Sequence, residues 1–337
     1  MRMAIRGLLM AVLAGSLCVT RAHAQTPFYA GKTIQLIVGF GTGGGYDLWA
    51  RTLARHMNRY IEGKPAIVVQ NMPGAGSYAA ANHLFSVAPK DGTVIGLIAR
   101  DAAVGPLTDA PGARYDATKF GWIGTPGTDH SVCVAFHTAK VKAAKDLLSQ
   151  ELIVGDVGAG GASREYPLAL SRLLGMKFRL ISGFHASTDV FLAMERGEVD
   201  GMCESYDSVK GRHADWLADG RLKVILQGGE APNPELKDVP FVLDLATNED
   251  DRKALSFLYS GMGIGRPFIA PPGLPEERMA ILRAAFEATM KDPEFAADAE
   301  RQKLVLEPSS GQHLADIVGR LYATPRAVID RVGELIK

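Results

Sequence analysis

Thr33-Ile34-Gln35-Leu36-Ile37-Val38, followed by Gly39-Phe40-Gly41-Thr42-Gly43-Gly44-Gly45-Tyr46-Asp47, is the stretch that decides the fold of this 337-residue chain. Its first six residues are rich in β-branched and apolar side chains, as a strand requires. The glycines interrupt that pattern, and Trp49, Leu53, Met57 and Tyr60 then recur at helical spacing. Asp47 stands where an N-cap is expected. A strand that runs through glycines into a helix presents unpaired backbone N–H groups and the positive end of the helix dipole, which together attract an anion. Glycine lets a ligand approach that backbone closely, so a branched side chain at Gly44 would block the donors.

Working outward, Ala66–Val69 reads as a second strand, 77–87 as a helix and Thr93–Ala99 as a third strand after the Asp91-Gly92 turn. The βαβαβ order predicts a parallel sheet flanked by helices. The same grammar returns further on, with strands at 151–154, 178–181 and 199–203, a glycine-rich turn at 155–163, and helices over 165–174 and 188–196. Leu36-Ile37-Val38-Gly39 is echoed by Leu152-Ile153-Val154-Gly155, and a gapless overlay lays Gly44-Gly45 on Gly160-Gly161 and Asp47 on Ser163. Two similarly built lobes follow. The Gly/Pro-rich segment 260–275 is expected to cross between them in extended form. Helices over 276–291 and 294–303, and after Ser310 and Thr324, close the chain, with Thr324 as a cap and Pro325 in the first helical position.

Composition narrows the function. Arg2 and Arg6, an apolar run from Gly7 to Val19 and Ala22-His23-Ala24 form a secretory signal, with cleavage expected after Ala24. Leu17 disfavours lipid attachment at Cys18. The segment 1–24 holds three arginines and no acid, so a chain beginning at Gln25 carries a net charge of −3 against zero for the whole. No basic stripe suits nucleic acid. Cys133 and Cys203 read as buried free thiols on strands, with a single disulfide as the alternative. Gly39-Phe40-Gly41-Thr42-Gly43-Gly44 matches a dinucleotide fingerprint, but the next strand ends in Gln70-Asn71 with no acid to hold a ribose. There is no nucleophile elbow, no H-E-x-x-H and no metal spacing among the histidines. Asp156, Asp200 and Asp207 read as turn and surface residues. The chain is therefore expected to be no enzyme, with no cofactor and no metal.

Several stretches together resemble a known family. Tyr29-Ala30-Gly31-Lys32, the first glycine turn through Asp47 and Ala50-Arg51, Val69-Gln70-Asn71-Met72-Pro73-Gly74-Ala75-Gly76 and Arg196-Gly197-Glu198-Val199-Asp200-Gly201 occur in order, and Ala270-Pro271-Pro272-Gly273-Leu274-Pro275 follows. The set is similar to the solute receptors of tripartite tricarboxylate transporters, the Bug proteins. The resemblance implies a two-lobed, periplasmic-binding-protein-like (Venus flytrap) α/β fold, each lobe a mainly parallel sheet flanked by helices. Lobe one would comprise residues 25–125 plus 228–337 and lobe two 126–227, with the C-terminal helices packing on either. It implies a monomeric periplasmic receptor that hands a small carboxylate to membrane permease subunits; a receptor feeding a two-component sensor kinase is the alternative.

Carried over by position, the first turn supplies Phe40, Gly41, Thr42, Gly44 and Asp47 to the ligand, and the second Gly158, Gly160, Gly161 and Ser163. The family usually has prolines where Gly41 and Thr42 stand, and Phe184-His185-Ala186 replaces a usual Tyr-Lys-Gly; both departures fall at the cleft. Arg100 and His185 follow strands at their carboxyl ends and are expected to select the ligand, Arg100 by gripping a second carboxylate. An exposed pair with Asp101 is the alternative for Arg100. Tyr46, Phe184, His185 and Tyr206 would form an aromatic wall, favouring an aromatic or medium-length dicarboxylic acid.

Overall fold

The computed structural model describes residues 26–158 and 161–337; the expected signal segment, its cleavage site and Gly160 lie outside the described residues. In the first lobe β1 (Thr33–Val38) lies parallel to β2 (Ala66–Asn71) on one side and β3 (Val94–Leu97) on the other. Leu36, Ile37 and Val38 are fully buried, as a central parallel strand covered on both faces demands. β2 is the edge strand and its residues alternate between exposed and half-buried. Beyond β3 the pairing turns antiparallel through β10 (Phe268–Ala270) to β4 (Gly121–Thr125) and the short β11 (Ser309–Ser310).

The second sheet holds β5 (Ser131–Phe136), β6 (Leu152–Asp156), β7 (Phe178–Ser182), β8 (Gly201–Ser205) and β9 (Leu222–Gly228) in the order β7-β6-β8-β5-β9. β6 is parallel to β7 and β8, whereas β5 runs antiparallel to β8 and β9. The orders β2-β1-β3 and β7-β6-β8 repeat one arrangement, so the sequence echo marks the central strand of each lobe. The two-lobed architecture is the expected one; the sheets are mixed rather than mainly parallel, because each lobe adds antiparallel strands to its βαβαβ half.

Other expectations change in detail. Segment 260–275 does not simply cross between lobes: it forms a short 3₁₀ turn, Ser260–Ile264, and then the fully buried β10 inside the first sheet. The terminal helix spans Arg326–Ile336 with Pro325 as its N-cap, one residue later than expected, and packs on both Ala162–Leu174 and Glu249–Tyr259. Cys133 and Cys203 face each other across β5 and β8 and form a disulfide, not two free thiols. Strand register brings them together, which linear spacing could not reveal. In the chain-entropy account a closed loop of this size stabilises by about 4 kcal/mol.

Candidate functional site

Each central strand ends in a glycine turn and a helix, Gly45–His56 after β1 and Ala162–Leu174 after β6, with Gly44 and Gly161 as the N-caps. Asp47 is therefore not a cap. It sits in the first helical turn and folds back: its carboxylate accepts from Gly43 N, Asn71 Nδ2 and Arg51 Nε, each at 2.9 Å. Burial pushes the Asp47 pKa up, but hydrogen bonds from Arg51, Gly43 and Asn71 outweigh it and hold the group below the usual carboxylate range. In the second turn Ser163 Oγ accepts from Val157 N at 3.2 Å, and Gly158 N donates to Asp156 Oδ1 at 2.7 Å. Asp156 closes β6 and is fully buried, so it is neither the turn nor the surface residue expected from the sequence. Gly158 has φ +100°, a backbone conformation that glycine tolerates best.

The two turns meet at a cavity of about 50 Å³, lined among others by Phe40, Gly44, Tyr46, Arg100, Gly161 and Ser163. That is room for only a few water-sized groups. The lobes are closed on each other. Gly41 N donates to the His185 carbonyl at 3.0 Å, and Tyr166 Oη donates to Asp101 Oδ1 at 3.0 Å. Thr42 and His185 are exposed and do not line the cavity; His185 contributes its carbonyl to the closure rather than its ring to the wall. Of the four aromatic residues expected there, Tyr46 lines the cavity, its ring 4.5 Å from that of Phe40. Tyr206 instead belongs to the second lobe's core and donates to Glu235 at 3.2 Å; Phe184 packs against the same core.

Behind the turns lies a set of charges. Arg100 is 4% exposed and pairs with Asp129 rather than Asp101. Its Nη1 donates to Asp129 Oδ2 at 3.1 Å and to Met262 Sδ at 3.4 Å. Among the described residues its Nε and Nη2 have no protein acceptor, which leaves one edge of the guanidinium fork unengaged. Asp129 also pairs with Arg266 at 2.9 Å. Burial pushes the Asp129 pKa up, but Arg266 and Arg100 outweigh it and hold the group ionised. Asp101 and Glu204 also line the cavity, and burial raises both of their pKa values, against the pull of Arg100 and Arg212 respectively. Asp207, half-buried, is pushed up to about 7 by burial and by Asp129. Sequence reasoning missed Asp101, Asp129, Glu204 and Arg266 as a group, because they are scattered along the chain and only the fold gathers them. Glu204 alone carried a signal, its place at the carboxyl end of a strand.

No family model matches the chain. A Cupriavidus necator protein described as "UPF0065 protein in gbd 5'region" is 23% identical, aligned over 97% of this chain and 95% of that protein. Among solved structures, the periplasmic binding protein BugD superposes with a TM-score of 0.72 at 20% identity, covering 90% of this chain and 99% of BugD. MatC from Rhodopseudomonas palustris, solved with bound malate, gives 0.70 at 23% identity over 91% of this chain and 99% of MatC. The structural neighbours are thus Bug- and TctC-type periplasmic binding proteins, which bind solutes and are not enzymes, and their fold is the fold of this chain. Among the described residues no helix is long and apolar enough to cross a membrane.

Proposed function

We propose that this chain is a periplasmic receptor of the Bug type, which captures a small organic carboxylate between its lobes and delivers it to the permease subunits of a tripartite tricarboxylate-type transporter. The observation that carries the reading is the convergence of two helix N-termini and the unengaged edge of Arg100 on one cavity. Helix N-termini supply donors and positive potential without a hydroxyl or imidazole of their own, and a guanidinium edge matches the two oxygens of a carboxylate. The malate in MatC supports the ligand class. The signal-like N-terminus supports export to the periplasm. Lobes at 25–125 with 228–337, and at 126–227, agree with the membership of the two sheets. In this reading Phe40, Gly44, Gly161, Ser163 and Arg100 touch the ligand. Gly41, Thr42, Asp47, Gly158 and His185 shape the turns or the closure.

A thermal-shift screen of carboxylic acids, each paired with its amide, tests this. A true ligand at one hundred times its Kd should stabilise the protein by about 2.7 kcal/mol. Acids are expected to raise the melting temperature and amides to leave it unchanged. Arg100→Lys keeps the charge but lacks the fork, and should weaken the best acid by roughly tenfold. Amides that bind as well as acids, or sugars that bind best, would overturn the carboxylate reading.

A further inference from the structure

A second concavity shares no lining residue with the cavity between the lobes. It is a groove of about 460 Å³ among the helices Glu249–Tyr259, Gly311–Tyr322 and Arg326–Ile336. That size falls within the range of small-molecule sites, about 300–1,000 Å³. Its floor is apolar: Phe257, Ile317 and Leu321 are buried and Val328 is half-buried. Lys253 and Arg320 stand exposed on its rim. Neighbouring cations on these helices are paired off, Arg252 with Asp244, Arg326 with Asp109 and Asp330, and Arg331 with Asp251. Among the described residues the side chains of Lys253 and Arg320 join no ion pair and make no hydrogen bond. Glu230 is the single acid of the lining, so the groove carries one positive charge in excess.

We propose that this groove is a second binding site, for a medium-chain aliphatic carboxylate whose chain lies on the apolar floor and whose head meets Lys253 and Arg320. One negative charge brings the lining to neutrality, whereas a dianion would overshoot it. A neutral apolar molecule would cover the floor and gain nothing from the two cations. A sugar would leave the floor without an apolar partner. The stems of Lys253 and Arg320 are themselves apolar and can flank a chain while their heads stay in water. The site stands independently of the carboxylate reading of the cleft, whose cavity of about 50 Å³ has no room for such a chain.

The test is calorimetry on the full chain with butanoate, hexanoate, octanoate and octanamide, all below micelle-forming concentrations. Affinity should rise about two- to fourfold for each CH₂ added, as expected for a methylene partly or fully buried on the floor. Octanamide, which keeps the chain and loses the charge, should bind roughly tenfold more weakly than octanoate. Exposed ion pairs are weak, so Lys253→Gln and Arg320→Gln should each cost about two- to fivefold, and the double variant roughly tenfold. Ser256→Trp places a large side chain at the groove and should abolish binding. All three positions are exposed, so the variants should keep the melting temperature of the unaltered protein. Affinity that does not change with chain length, or octanamide that binds as well as octanoate, overturns the site. Octanoate that binds the double variant as tightly as the unaltered protein, but Arg100→Lys more weakly, sits in the cleft and overturns it too. Capture of the protein on phosphatidylglycerol vesicles without binding of free octanoate would assign the groove to a membrane surface and overturn the soluble-acid assignment. Each of these failures leaves the carboxylate reading of the cleft standing, because that reading is tested by acids and amides small enough for the cavity.

Discussion

The two glycine turns descend from one local plan but meet their surroundings differently. In the first, Gly41 gives its N–H to the other lobe, and a Cβ added there would lie 3.1 Å from the His185 carbonyl and 3.3 Å from Ala186 Cβ. In the second, a Cβ on Gly161 would first meet its own turn, at 3.0 Å from Val157 Cγ2 and 3.3 Å from Gly158 O, and reach the first lobe only at 3.7 Å, at Gly76. The helices differ too. The first intrahelical bond of Gly45–His56 starts at Leu48 N, whereas in Ala162–Leu174 the Arg164 amide already closes onto Gly161 O. The first turn therefore keeps Gly45, Tyr46 and Asp47 amides ahead of its ladder, and the second only Ala162 and Ser163. One turn is the richer donor and is pressed against the opposite lobe; the other is self-contained. Glycine in the first turn serves closure, and in the second it serves the turn itself.

Gly41→Val should break that asymmetry most strongly. Its methyl groups extend beyond a Cβ position that is already tight against lobe-two backbone, which cannot rotate out of the way. The residue is only half-buried, so the open protein tolerates it. Overpacking of this kind costs about 1–3 kcal/mol. The whole cost falls on the closed state, so affinity should drop by up to roughly 100-fold, at 1.4 kcal/mol per tenfold. The melting temperature of the ligand-free protein should barely move. Small-angle scattering with saturating ligand should show a more extended particle than the unaltered protein. Unchanged affinity would mean that the lobes close without this contact.

How far the sequence reveals this depends on distance along the chain. β1 was legible to the residue at both ends, because Thr33–Val38 is a run rich in β-branched and apolar residues stopped by glycine. The echo between lobes was legible as far as the strands. It slips by one at the helices, which start at Gly45 and Ala162 where a gapless overlay predicts Gly161, because β6 runs two residues past the position that matches the end of β1 while the turn after it is one residue shorter. Phe40, Gly44 and Gly161 were found as cavity residues because the turn that presents them is local. Arg100 was placed at a strand end correctly, yet its partner could not be read. Asp129 and Arg266 reach it through β4–β5 and through β10, and mixed pairing in the first sheet is invisible to a βαβ pattern. The disulfide was hidden for the same reason.

The second turn reaches across the cleft with a side chain. Tyr166, one turn into Ala162–Leu174, donates to Asp101 Oδ1 at 3.0 Å and stacks 4.3 Å from Tyr259. Tyr166→Phe keeps the ring and its packing and removes one hydrogen bond. If the second turn is the tolerant one, this change should weaken ligand binding only about two- to tenfold, the net worth of a single hydrogen bond. A loss as large as that of Gly41→Val would make the phenol, not the first turn, the main lock between the lobes.

The smallest expected effect gives the finest test, because Gly44 and Gly161 are both N-caps and replacing either with alanine changes the capping chemistry in the same way. The difference between the two variants isolates packing. A Cβ on Gly44 lies 3.8 Å from Ser187 Oγ and 4.0 Å from Ala186 Cβ, ordinary contacts, while a Cβ on Gly161 has to displace Val157 or the Gly158 carbonyl. Neither backbone is left-handed, Gly44 having φ −75° and Gly161 φ −103°. Beyond the shared loss of cap stability, Gly44→Ala should change affinity by less than about twofold, and Gly161→Ala should cost a few-fold more through the shifted turn. Calorimetry with the best acid compares them directly. The reverse order would mean that the ligand touches Gly44 on the side where a Cβ would stand, and not only through its backbone N–H, because the protein leaves open space there. The missing side chain of Gly44, as well as its backbone, would in that case serve the bound molecule.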